Sequence, residues 1–178
     1  MERVPYRATL VAGAYSDLRL PVSILLDNVR SMYNVGAFFR AADGAGIERL
    51  LISGITARPP KRGITKTALG AETRVAWESV SAPLTAIEDL RAQGYEIAAI
   101  ETSMQAVDVF EWQPRFPVCV LFGHEVDGLA LELLAGCDTH VRIPMLGLKH
   151  SLNVASAGAV VMYELLRKYR NLHDSGFI

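Results

Sequence analysis

Residues 118–128 read VCVLFGHEVDG, in which five apolar residues run up to a turn between Gly123 and Gly128. A short apolar run that ends at a glycine is typical of a buried strand. Because glycine has no side chain, Gly123 lets a ligand approach the backbone closely at the end of this strand. Ligands of open α/β sheets bind beyond such strand ends. The stretch therefore predicts a strand that leads directly into a binding site.

Comparable apolar runs alternate along the chain with longer segments of helical period. This alternation predicts an α/β fold, a mostly parallel sheet with helices on both faces. Gly46 and Gly94 are expected to end two helices, and two prolines with a glycine predict a loop at residues 58–63. The predicted strands comprise residues 22–26, 49–53, 95–100, 118–122 and 139–143, and the predicted helices comprise residues 35–45, 84–93, 130–135 and 152–170.

The composition describes a globular protein without a global charge bias. With 178 residues, 51% of them hydrophobic, the chain can bury a core, and we expect a single domain over residues 1–178. The net charge of −1 excludes the basic field of a nonspecific nucleic-acid binder, so any polyanion must be bound locally. Cys119 and Cys137 lack the spacing of a metal or redox motif and are expected to be reduced core thiols.

The sequence contains no recognisable targeting or membrane segment. Residues 1–7 lack the apolar run of a secretory signal. No stretch approaches the roughly 18 apolar residues of a membrane span. We therefore expect a cytoplasmic protein that is not bound to a membrane.

A first polar tract, NVGAFFR at residues 34–40, lies at the start of a predicted helix. Asn34 is a good N-cap type, and Arg40 lies nearly two turns further on. Arginine carries five donors and a permanent charge, which suit a phosphate or a developing oxyanion. Alternatively, Asn34 only caps the helix and Arg40 pairs with Asp43 on the surface. These residues taken alone leave both interpretations open.

A second polar tract follows the strand ends of the second half of the chain. Glu125 lies in the turn after residues 118–122, either as a site residue or as a residue that caps the loop. Another strand ends at Ile143, Ser151 is a natural N-cap for the last helix, and Asn153 is an amide at the start of an otherwise apolar helix. Buried polar groups are costly unless they are partnered, so these positions indicate a functional site.

The last predicted helix is apolar or small on every side over residues 154–163. A helix that is hydrophobic all round is buried all round. A terminal helix can be buried in this way by its own sheet together with a second subunit, which predicts a homodimer. The alternative is a central core helix without a partner.

Taken together, these tracts resemble the SpoU (TrmH-like) branch of the SPOUT family of RNA 2′-O-methyltransferases. The combination is specific and spans about residues 22–168, whereas each piece alone is weak. The matching motifs are NVGA at 34–37 with Arg40, KTALGA at 66–71, LFGHE at 121–125 with Gly128 and Leu129, IPM at 143–145 and SLNVA at 151–155.

The resemblance implies a SPOUT-type fold with a C-terminal trefoil knot, a homodimer, and S-adenosylmethionine bound in the knotted loops. By position, the residues implied to line the donor pocket are Gly123, Ile143 and Leu152, with Met145 nearby. Those implied to form the catalytic site are Arg40, Asn34, Glu125, Ser151 and Asn153. The candidate RNA contacts, if they are not merely solvated, are Arg58, Lys61, Arg62 and Lys66.

The implied chemistry is transfer of a methyl group from a sulfonium to a ribose 2′-hydroxyl, which must be held in line and deprotonated as it attacks. The guanidinium of Arg40 is effectively always protonated. Arg40 therefore either loses its proton with help from a substrate phosphate or stabilises the oxyanion. Metal-independent chemistry is expected. The chain lacks the extra N-terminal RNA-binding domain that many ribosomal RNA enzymes of the family carry, which favours tRNA over rRNA.

Two other classes of function remain open at this point. A magnesium-dependent phosphotransferase or hydrolase could use Asp27, Glu125 and Asp127 as oxygen ligands. The sequence has no phosphate-cradling glycine loop, which disfavours this class. The other class is a catalytically silent homodimer that binds RNA or acts as a scaffold.

Overall fold

The computed structural model describes residues 19–173 of the chain. The absence of a secretory signal, which concerns residues 1–7, lies outside this range. The strands are β1 (Leu20–Asp27), β2 (Ile47–Ser53), β3 (Ala76–Val80), β4 (Glu96–Ile100), β5 (Val107–Asp108), β6 (Val118–Phe122) and β7 (Thr139–Arg142). The α-helices are α1 (Met32–Ala45), α2 (Arg62–Ala68), α3 (Pro83–Ala92), α4 (Leu131–Ala135) and α5 (Val154–Leu172).

The strands form one sheet in the order β3-β2-β1-β6-β4-β7-β5, and every neighbouring pair is parallel. In the middle of the sheet, Leu25 pairs with Leu51 on one side and with Leu121 on the other. The chain moves outward from β1 through β2 to β3, whereas the later strands lie on the other side of β1. Because the strand order reverses beside β1, the carboxyl ends of β1 and β6 flank the crevice where parallel sheets bind ligands.

Helices cover both faces of the sheet, because successive strand residues point to opposite sides. Ile24 belongs to the apolar cluster that includes residues of α1, α2 and α5, for example Phe38. Leu25 belongs to a second cluster with Ile87 of α3 and Leu133 of α4. The predicted parallel α/β sheet with helices on both faces is thereby confirmed, while the trefoil knot remains a prediction.

The five predicted strands and four predicted helices are present with shifts of up to three residues at their ends. Gly46 ends α1 in a left-handed conformation with φ of 70°, as predicted. The predicted loop at residues 58–63 is wrong at its end, since α2 begins at Arg62. Within α2, the missing side chain of Gly63 leaves room for Met32. A Cβ on Gly63 would lie 2.8 Å from the Cβ of Met32. The short strands β3 and β5 were not predicted from the sequence.

Within a single chain, helix α5 is buried on one side only, so the alternative of a central core helix without a partner is wrong, while the homodimer stays a prediction. The residues on the outward side are spaced three or four apart, and Tyr163 among them is 51% exposed. They are Ser156, Val160, Tyr163 and Arg167. In contrast, Glu164 and Lys168 are buried and form an ion pair of 3.4 Å. The ammonium group of Lys168 also donates to the carbonyl oxygens of Phe110 and Trp112, so it ties α5 to the segment before β6.

Both cysteines are free, as predicted, with Cys119 buried and Cys137 partly buried. Burial raises the pKa of Cys137 to about 12, so this thiol is protonated at neutral pH. None of the helices in residues 19–173 combines the length and the apolar character that crossing a membrane requires.

Candidate active site

A cavity of about 230 Å³ lies at the carboxyl ends of β4, β6 and β7, and the start of α5 closes it. Apolar side chains that suit a flat ring line one part of the wall. Polar and charged groups line the remainder. The apolar members are Ile100, Phe122, Val126, Ile143, Leu152, Val154 and Ala157, and the polar members include Glu101, Thr102, His124, Glu125, Asp127, Arg142, His150 and Ser151.

Gly123, in the turn after β6, lines this cavity with backbone atoms only. A Cβ on Gly123 would lie 2.5 Å from the backbone nitrogen of Leu129 and even closer to the backbone of Gly128. Two backbone hydrogen bonds between His124 and Gly128, of 2.9 and 3.0 Å, close the turn. The Nδ1 atom of His124 accepts a further bond of 3.1 Å from the amide of Asp127. The position therefore requires glycine in a turn that is already tightly bonded.

A neighbouring groove of about 620 Å³ shares Thr102, Arg142, Ile143 and His150 with the cavity. Met145, which was predicted near the donor pocket, lines this groove and not the cavity itself. Ligand sites for small molecules commonly enclose about 300–1,000 Å³. The cavity and the groove together therefore suit an elongated ligand with one flat apolar end.

Glu125 connects the turn after β6 to the start of α1. Its carboxylate accepts hydrogen bonds from the amides of Arg30 (3.0 Å) and Ser31 (3.1 Å) and from the side-chain nitrogen of Asn34 (3.0 Å). Burial alone would raise the pKa of Glu125, but these hydrogen bonds outweigh it and hold the pKa below its ordinary value. Glu125 is therefore a charged acceptor at neutral pH that bridges the ends of β1 and β6.

Asn34 extends this bridge to α5. Its side-chain oxygen accepts a hydrogen bond of 3.3 Å from the side-chain nitrogen of Asn153. Asn153 in turn caps α5, since its side-chain oxygen accepts from the amides of Ala155 (3.0 Å) and Ser156 (3.3 Å). Glu125, Asn34 and Asn153, which we name the carboxylate–amide bridge, thus join three segments that are distant in sequence.

The alternative that Asn34 only caps α1 is wrong, and so is the predicted cap of α5 at Ser151. Ser31 caps α1, because its hydroxyl accepts from the amide of Asn34 at 3.4 Å, whereas the side chain of Asn34 is held by Glu125. Asn153 caps α5 in place of Ser151. Ser151 does not cap α5. It lines the cavity, where it was predicted as a site residue.

Arg40 lies outside the cavity. It is exposed and lines a separate groove of about 520 Å³ with Lys66, Thr67 and Tyr163. The alternative pairing with Asp43 does not form, because Asp43 pairs with Arg74 at 3.6 Å. No hydrogen bond or ion pair holds the Arg40 side chain among residues 19–173. The guanidinium is therefore available to an anion.

The four candidate RNA contacts do not form one basic loop. Arg58 is partly buried, and its Nε atom has no hydrogen-bond partner in the described part of the chain. Lys61, Arg62 and Lys66 are exposed at or on α2, and the ammonium group of Lys66 lies 5.8 Å from the ring centre of Tyr33. The segment KTALGA, placed on the loop side from the sequence, begins within α2.

The proposed magnesium ligands are not brought together. The Asp27 carboxylate accepts hydrogen bonds from the hydroxyl of Ser53 (2.5 Å) and the side chain of Asn28 (2.9 Å), whereas Glu125 binds the start of α1. Within residues 19–173, no group of three His, Cys, Asp or Glu side chains is placed to hold a metal ion.

Glu101 and Thr102 line the cavity but were not identified from the sequence. They follow β4 directly, and one carboxylate oxygen of Glu101 accepts a hydrogen bond of 2.8 Å from the amide of Thr102. Their position could have been predicted from the sequence, because ligands bind beyond the ends of parallel strands and both residues follow the predicted strand at residues 95–100. The second carboxylate oxygen lies close to Gly128.

The chain resembles proteins that modify RNA in both sequence and structure. It is 32% identical over 153 residues to the tRNA (guanosine(18)-2′-O)-methyltransferase of Escherichia coli K12, which covers 84% of this chain and 65% of the relative. A TrmH/SpoU tRNA modifying enzyme of A. aeolicus superimposes with a TM-score of 0.78 at 27% identity, covering 87% of this chain and 78% of the other.

The SpoU methyltransferase AviRb of Streptomyces viridochromogenes, in complex with the cofactor AdoMet, superimposes with a TM-score of 0.76 at 28% identity. That match covers 85% of this chain and 59% of AviRb, so the chain spans less than two thirds of several of its relatives. The model of the SpoU rRNA Methylase family matches residues 21–163, which include both polar tracts and the cavity. The chain belongs to the SpoU rRNA methylase family.

Proposed function

We propose that this chain transfers a methyl group from S-adenosylmethionine to a ribose 2′-hydroxyl of RNA. The observation that carries the proposal is the cavity at the ends of β4, β6 and β7, where the bare backbone of Gly123 meets an apolar wall. The carboxylate–amide bridge joins this cavity to the helix that bears Arg40. Membership of the SpoU rRNA methylase family supports the same activity.

The residues that are present fit the methyl donor. Ile143 and Leu152 would contact its adenine ring, and Gly123 lines the same cavity in the turn after β6. The neighbouring groove with Met145 leaves room for the amino-acid part. When bound, S-adenosylmethionine supplies a methyl group that its positively charged sulfur already activates.

The side chains of the site would position and stabilise the acceptor. Glu125, Asn34 and Asn153 hold the starts of α1 and α5 in one arrangement, and Ser151 faces the cavity with a hydroxyl that can bond the substrate. Arg40 is a permanent cation without a protein partner in the described range, so it would stabilise negative charge on the attacking 2′-oxygen. Lys66 lines the same groove and would add a second positive charge beside the RNA.

Transfer of a labelled methyl group to undermodified RNA, with EDTA present, tests the activity directly. We expect turnover that EDTA does not change, together with binding of S-adenosylmethionine measured by calorimetry. Turnover that EDTA abolishes would favour magnesium-dependent chemistry. Donor binding without transfer to any RNA would favour the silent RNA-binding dimer.

The RNA that we propose as substrate is tRNA. The relative from Escherichia coli is named a tRNA methyltransferase, and the structure from A. aeolicus is described as a tRNA modifying enzyme. Mapping ribose methylation in RNA from a strain that lacks the gene should reveal one missing mark in tRNA. A missing mark in ribosomal RNA would contradict the choice of tRNA but not the activity. The cytoplasmic location stays a prediction.

We further propose that the protein is a homodimer that packs through the outward stripe of α5. The stripe comprises Ser156, Val160, Tyr163 and Arg167, and Tyr163 leaves half of its surface exposed. A second copy would cover this ring and complete the burial that the sequence of α5 indicates. Light scattering should give twice the mass of one chain, and Tyr163→Arg should lower it towards the monomer. A monomeric wild-type protein would contradict the proposal.

A further inference from the structure

Tyr33 has an exposed aromatic ring and directly precedes Asn34 of the carboxylate–amide bridge. Tyr33 is 53% exposed in the first turn of α1, and the side chain of Asn34 binds Glu125 and Asn153. The backbone beneath this ring is held firmly, because the carbonyl oxygen of Tyr33 accepts a hydrogen bond of 3.0 Å from the hydroxyl of Thr67. The backbone that carries the exposed ring is thus tied to α2.

Basic side chains of α2 flank this ring. The ammonium group of Lys66 lies 5.8 Å from the ring centre of Tyr33, and Arg62 precedes Lys66 by four residues on the same face of α2. Met32 is 39% exposed and packs against Gly63. We name Met32, Tyr33, Arg62 and Lys66 the α1–α2 ledge. Helix α2 contains no acidic residue, so its own sequence does not offset these charges.

The chemistry of the ledge matches that of single-stranded RNA. Proteins bind unpaired bases by stacking them on aromatic rings, and they bind the adjoining phosphates through lysine and arginine. Tyr33 and Asn34 belong to the same turn of α1, so a base held on Tyr33 would lie within about one helical turn of the carboxylate–amide bridge.

We propose that Tyr33 stacks on the base of the nucleotide that is methylated, and that Lys66 and Arg62 bind the phosphates on either side of it. This proposal rests on the proposed function, since it names how the RNA acceptor is held at the same site. Tyr33 acts as a positioning residue. It touches the base and not the reacting oxygen.

The test compares Tyr33→Ala with Tyr33→Phe, Tyr33→Trp and a control, Phe110→Ala. Phe110 is a suitable control because it is 54% exposed and lies beside β5, at the far edge of the sheet. We expect Tyr33→Ala to raise KM for RNA about 10- to 100-fold, whereas the variants that keep a ring stay within about threefold of wild type. The affinity for S-adenosylmethionine should not change in any variant.

The charged part of the ledge is tested by the salt dependence of RNA binding. Lys66→Gln should reduce the slope of log affinity against log salt by roughly 0.7 to 0.9, which corresponds to one lost phosphate contact. An unchanged slope would contradict the role of Lys66.

Several results would overturn the role of Tyr33. They are an equal loss in Tyr33→Ala and Tyr33→Phe, an equal loss in Phe110→Ala, or a Tyr33→Ala protein with altered donor affinity or oligomeric mass. Failure of the proposed function is distinguishable, because it would appear as a wild-type protein that methylates no RNA. In that case, anisotropy of a short fluorescent single-stranded RNA still tests stacking, and equal binding by wild type and Tyr33→Ala would refute the ledge.

Discussion

Replacing Arg40 by alanine is expected to lower kcat for methyl transfer about 100- to 1,000-fold while leaving the affinity for S-adenosylmethionine within about twofold. A single group that stabilises developing negative charge commonly contributes a factor of this size. Donor affinity should persist because Arg40 is not among the residues that line the cavity and instead shares a groove with Lys66 and Tyr163. Single-turnover transfer and calorimetry measure the two quantities separately.

Two further variants sharpen the result for Arg40. Arg74→Ala is a matched control, since it removes an exposed arginine whose surface pair with Asp43 contributes little. Arg40→Lys keeps the charge but loses the planar fork of donors. Recovery of much of the rate in Arg40→Lys would indicate that a positive charge suffices. Full activity in Arg40→Ala, or a loss of donor affinity as large as the loss of rate, would contradict the proposed role.

Gly123→Ala is expected to reduce the affinity for S-adenosylmethionine at least tenfold and to destabilise the fold by about 1–3 kcal/mol. The added Cβ would lie 2.5 Å from the backbone nitrogen of Leu129, and backbone atoms cannot yield as a flexible side chain can. To make room, the turn between His124 and Gly128 must open and give up its two closing hydrogen bonds. Calorimetry and thermal unfolding measure the two effects.

Gly147→Ala is the matched control for this substitution. Gly147 lines the neighbouring groove, and a Cβ there would meet no atom within 4 Å. We expect its unfolding midpoint to stay close to that of the wild type, because the added methyl group meets no other atom. If Gly123→Ala unfolded at the same temperature as the wild type, the close approach of backbone atoms at the turn after β6 would not matter for the fold.

Much of the fold was predictable because its signals are local. The apolar run of β6 and the helical period of α5 are carried by residues that are neighbours in sequence, and both elements lie where they were predicted within two residues. The same holds for Gly46, whose left-handed conformation ends α1. Helix α2 was harder to predict, because Gly63 disfavours a helix locally and its buried residues Ile64 and Ala68 pack in the same core cluster as α1.

The parallel α/β architecture, two of the three strand ends that line the cavity, and Glu125 and Ser151 among its polar residues could be predicted from the sequence, since periodicity and glycine positions encode such features locally. How those residues are used depends on the tertiary structure. Asn34 bonds partners that are 91 and 119 residues away, and Asn153 displaces Ser151 as the cap of α5. Arg40 likewise faces a groove of its own. Such pairings depend on how the strands are ordered in the sheet, and no local pattern specifies a partner so far along the chain.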